Sequence, residues 1–138
     1  MLENAIIFSK DLAKVVLTST YGSHDPHADS FANSLEKIQE IAVKLEKGLF
    51  TLDLDLNLTA MIVAIKNLSV ALVFNEKFDK TLHESWEKVA KEIVNGFEKY
   101  YDSKDESKYT EFKPKLDDII KWHEKELSPI DKMKDALW

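Results

Sequence analysis

The apolar positions repeat with a helical period along most of the chain. From Leu2 to about Ser19, Ala5, Phe8, Leu12, Val15 and Val16 fall on one face at 100° per residue. Leu2, Ile6, Ala13 and Leu17 widen that face beyond half the circumference. This reads as a first helix touching more than one neighbour. Tyr21-Gly22-Ser23-His24-Asp25-Pro26 is the clearest break, and Pro26 suits the first turn of a second helix running to about Lys47. Its stripe is Ala28, Phe31, Leu35, Ile38, Ala42 and Leu45, with Gly48 as the stop. Leu49 to Asn57 alternates apolar and polar residues like a strand. A strand with no pairing partner is unstable, so the expectation here is a connector whose leucines plug the core.

Leu58–Phe74 is apolar at almost every angle and is interrupted by Lys66, Asn67 and Ser69. Read as a helix, it needs neighbours on all sides. A further stripe follows in Phe78, Leu82, Trp86, Val89, Ile93, Phe97 and Tyr100. After the polar stretch Asp102–Glu106, Tyr109, Phe112, Leu116, Ile119, Ile120, His123 and Leu127 keep one register through Pro114. Ser128-Pro129 opens a short last helix that turns Ile130, Met133 and Leu137 inward and ends at Trp138. The expected fold is therefore all-α: one domain over residues 1–138, a bundle of five to six helices around an apolar central helix.

Composition narrows the function. Cysteine is absent, which removes disulfides, thiol nucleophiles and thiolate metal sites. All 19 basic residues are Lys, so no guanidinium clamp on phosphate or guanine exists within the chain. The net charge of −6 is spread along the chain, and each Lys-containing stretch is interleaved with Glu or Asp. A nucleic-acid partner is thereby disfavoured. A membrane partner is disfavoured too, because Lys66 sits in the middle of the longest apolar stretch. The N-terminal residues, carrying Glu3, Lys10 and Asp11, lack the pattern of a secretory signal. The expected location is the cytoplasm, with a processed secreted form left open.

Candidate chemistry is sparse. His24, Asp25, His27 and Asp29 form the densest group of metal-ligating side chains, but in a loop and without zinc-type spacing. No Gly-X-Ser-X-Gly elbow or glycine-rich phosphate loop occurs, and the paired carboxylates have the pattern of solvated faces and caps. No catalytic, metal or cofactor-binding residue is assigned, and no cofactor is expected. Trp122 points away from the Leu116, Ile119 and Ile120 stripe, and with Trp138 it forms a candidate partner patch. The leading expectation is a non-catalytic protein-interaction domain of adaptor, inhibitor or effector type. The alternative is a carrier of a fatty acid or other apolar small molecule, its cavity lined by Met61, Phe74, Phe97 and Met133.

Overall fold

The computed structural model describes residues 2–76, 80–102 and 104–127. It is built on a five-stranded antiparallel sheet, so the all-α bundle is wrong. The elements in chain order are β1 (Leu2–Ser9), β2 (Lys14–Thr20), α1 (Ala32–Lys44), β3 (Gly48–Asp53), β4 (Thr59–Ile65), β5 (Leu68–Phe74), α2 (Lys80–Glu98) and α3 (Lys113–Leu127). Short 3-10 segments, Asp29–Phe31 and Glu106–Phe112, lead into α1 and α3. The strand order is β2-β1-β5-β4-β3, with every neighbouring pair antiparallel.

The expected first helix is the hairpin β1–β2, and the expected central helix Leu58–Phe74 is the hairpin β4–β5. Both misreadings have one physical cause. Helices cover both faces of this sheet, so the inner strands bury all but one of their side chains, Ile65 being partly buried, and lose the alternation that marks a half-exposed strand. All eight residues of β1 and all seven of β5 are buried. Within the strands, neighbours still point to opposite faces. Ala5, Ile7, Met61, Val63, Val70 and Leu72 pack against α2 and α3. Ile6, Ala60, Ile62, Ala71 and Val73 pack with Phe31, Ile38, Leu54 and Leu58 on the α1 face.

Lys66-Asn67, read as a blemish in a helix, is the two-residue turn between β4 and β5, with Lys66 in the left-handed region at φ 54°. The segment expected to be a connector is β3, which finds its partner in β4. Two of the expected helices with a polar face exist, though α1 starts at Ala32, after the Asp29–Phe31 turn, and not at Pro26. On α1, Ile38 and Ala42 are buried along the expected stripe, and on α2 so are Trp86, Val89, Ile93 and Phe97.

Chain order dictates how the layers are spanned. β2 lies at one edge of the sheet and β3 at the other, so the stretch between them crosses a whole face and carries α1 over it. The two edges that result are unlike. Between β1 and β2 the register shifts at Ile7/Phe8, and β2 contacts both α3 and the Glu106–Phe112 segment. Lys14 pairs with Glu106 at 2.7 Å there. β3 pairs with β4 through all six of its residues without a shift, and it lies at the far edge of the sheet.

Candidate interaction edge

β3 reads Gly-Leu-Phe-Thr-Leu-Asp, and its end position in the sheet leaves one row of backbone N–H and C=O groups without a strand neighbour among the described residues. Natural edges are normally blunted by a bulge, a proline or an inward lysine. β3 contains no proline or lysine. Four large hydrophobic side chains are exposed among the described residues: Val43, Phe50, Leu56 and Trp122. Three of them belong to the same stretch of chain. Val43 is in the last turn of α1, which joins β3 through residues 45–47; Phe50 is in β3; Leu56 is at the tip of the β3–β4 hairpin. Phe50 stands opposite Ile62, whose side chain lies in the α1 core, so Phe50 extends that apolar face to the rim of the sheet.

The hairpin tip carries strain. Leu56 and Asn57 both have positive φ, 63° and 60°, in a loop closed by the Leu54 N–H donating to the Leu58 carbonyl at 2.8 Å. Asn tolerates the left-handed region, but Leu there costs about 1–2 kcal/mol. A leucine that is both strained and half exposed works against the local preference of the chain. Lys37 of α1 reaches Asp55 at 3.6 Å and links the helix to this tip.

The sequence-derived site residues fall in three places. Trp122 is 67% exposed on α3, away from β3. Met61, Phe74 and Phe97 are buried in the core between the sheet and α2/α3. There the rings of Phe74 and Trp86 lie 5.1 Å apart, and the rings of Phe97 and Phe112 lie 5.5 Å apart. Trp138 and Met133 lie outside the described residues. His123 packs edge-on against Trp86, with ring centroids 4.5 Å apart.

The His24, Asp25, His27, Asp29 group does not converge on a point. His24 Nδ1 lies 3.4 Å from Glu3 Oε2, His27 Nε2 lies 3.2 Å from Thr18 Oγ1, and Asp25 Oδ1 accepts from the His27 N–H at 2.9 Å. Among the described residues no three His, Asp or Glu side chains are grouped to hold a metal ion. No described helix is long and apolar enough to cross a membrane.

Three polar clusters tie the layers together. Glu3, buried in β1, accepts from Asn75 Nδ2 at 3.0 Å and from the His24 N–H at 3.3 Å. Burial alone pushes its carboxyl up; the His24 amide, the His24 ring and Asn75 outweigh that and hold it below the usual range. Gly22 leaves room for it, because a Cβ there would overlap the Glu3 carboxylate and force it to move.

Asp117 of α3 accepts from both Ser19 Oγ at 2.8 Å and Tyr21 OH at 2.7 Å. Burial, with Asp117 and Glu124 nearby, raises the Tyr21 phenol well above its ordinary value. Tyr101 lies 2.6 Å from Ser9 Oγ and donates to Asp11 Oδ2 at 3.2 Å, with its phenol also raised, chiefly by burial. Each cluster joins sheet to loop or helix and spends its polar groups on the protein itself.

None of the protein-family models compared with the chain matches it, and no curated protein matches it significantly. The edge itself was within reach of the sequence: the alternating Leu49–Asp53 run is a strand pattern, and accepting Lys66-Asn67 as a turn would have supplied its partner.

Proposed function

We propose that this chain is a non-catalytic protein-interaction domain that receives a protein partner by strand addition along β3. The observation that carries the reading is the contrast between the two sheet edges. β2 is bulged and braced by α3, whereas β3 pairs with β4 without a register shift and carries the exposed Phe50, with exposed Val43 and Leu56 in the chain on either side. Backbone groups along such an edge supply main-chain hydrogen bonds to an extended segment, and alternate side chains supply selectivity. Phe50 is the anchor on the α1 side, since an exposed aromatic beside an apolar core is the residue type that dominates interface energies.

A photoreactive amino acid in place of Thr51, introduced in the full chain within its native cell, tests this directly. A discrete cross-linked protein is expected from position 51, lost when Phe50→Lys is added. The same probe in place of Trp122 is the comparison. Adducts from position 122 with none from position 51 would overturn the β3 reading in favour of the α3 surface.

A further inference from the structure

We propose that the partner at β3 is a second copy of this chain, its β3 running antiparallel to the first about a twofold axis through Phe50. This rests on the reading of β3 as the interaction edge and adds the identity of what pairs with it.

Three features of the strand make it complementary to itself. The first is charge. Lys47 directly precedes β3, with Glu46 before it, while Asp53 ends the strand and Asp55 beyond it pairs with Lys37. An antiparallel copy lays Lys47 of one strand beside Asp53 of the other, at both ends of the pair. A parallel copy would set Lys47 beside Lys47 and Asp53 beside Asp53, so charge selects the antiparallel arrangement.

The second is geometry. Outward and inward backbone groups alternate along a strand, so a twofold axis between antiparallel copies passes through a residue and never between two. With the axis at Phe50, Leu49 faces the second copy's Thr51, and Lys47 faces the second copy's Asp53. Each pair occurs twice by symmetry.

The third is shape. The same register sets Gly48 against the second copy's Leu52. A Cβ placed on Gly48 would meet nothing within 4 Å, and Leu52 is half buried, so the leucine covers an open spot. Phe50 then stacks beside its symmetry mate on the α1 face, and both bare edges are paired. Two sheets of five strands become one of ten, bounded by the bulged β2 strands.

Sedimentation equilibrium of the full chain from micromolar to millimolar concentration tests this. A monomer–dimer equilibrium is expected. Phe50→Lys weakens it by at least about tenfold, and Lys47→Glu or Asp53→Lys alone by at least about fivefold. The Lys47→Glu/Asp53→Lys double variant returns to within about threefold of the parent, because it restores opposite charges at both ends. These side chains are exposed, and unchanged circular dichroism establishes that each variant is folded.

The chain is free of cysteine, so Phe50→Cys gives a clean second readout. It forms a disulfide-linked dimer on mild oxidation, whereas Thr18→Cys on the opposite edge does not. A monomer throughout the range, or a dimer indifferent to Phe50→Lys, overturns the second-copy assignment. If position 51 then cross-links a protein of different mass, the edge reading survives without it. No adduct at all from position 51 removes both.

Discussion

At the scale of single residues, Glu3 is the acidic side chain buried in the sheet. Its carboxylate is buried, yet held in its charged form by the His24 amide and ring and by Asn75. Its folded pKa is therefore below the unfolded one, so its contribution to stability is fully present above the unfolded value. That contribution is lost as the pH falls through the folded value. Denaturant titrations below about pH 4.5 should accordingly show falling stability in the parent. In Glu3→Gln that acid-dependent part is absent, and at neutral pH the variant is less stable by about 1–3 kcal/mol from the lost charged hydrogen bonds. An identical acid slope in parent and variant would assign the loss to other carboxylates. A side chain at Gly22 would push the Glu3 carboxylate out of this arrangement.

At the scale of elements, the β3–β4 hairpin carries a strained residue at its tip. Leu56 is strained by its left-handed backbone, and its exposed side chain leaves it little burial to offset the strain. Replacing it with Asn, which tolerates that conformation, should raise stability by about 0.5–1 kcal/mol in denaturant melts. If Leu56 serves the interaction edge, the same variant weakens capture at position 51, so stability and capture move in opposite directions.

This hairpin also shows what could be read from the chain. The stripes of α1 and α2 were legible because each helix keeps a solvent face, and Ile38, Ala42, Val89 and Ile93 sit where a period of 3.6 puts them. β1, β4 and β5 were illegible because burial on both faces erases alternation, leaving Leu58–Phe74 as suitable for a helix as for two strands. The β-branched run Ile62-Val63 and the polar Lys66-Asn67 pair were the local clues to a hairpin. With β4 obscured in this way, the Leu49–Asn57 alternation shows no partner strand, and the open edge of β3 stays hidden with it. Trp122 was legible as an exposed side chain because it stands a full 100° from its stripe.

At the scale of the whole molecule, one sheet serves two cores. α1 closes one and α2 with α3 closes the other, and the inner strands contribute alternate side chains to each. Loosening one core therefore disturbs the backbone that shapes the other, and the two should melt as one unit. Ile38 is 1% exposed on the α1 side, and Ile38→Ala should cost about 2–5 kcal/mol through lost burial and a residual cavity. Trp86 lies wholly within the other core, against Phe74 and His123. In a chain keeping Trp86 as its sole tryptophan, Ile38→Ala should shift the fluorescence transition and the far-ultraviolet circular dichroism transition by the same amount. A Trp86 signal that stays at the parent midpoint while the dichroism shifts would mean two independent cores. A partner added along β3 would then stabilise only the α1 layer and the strands beneath it.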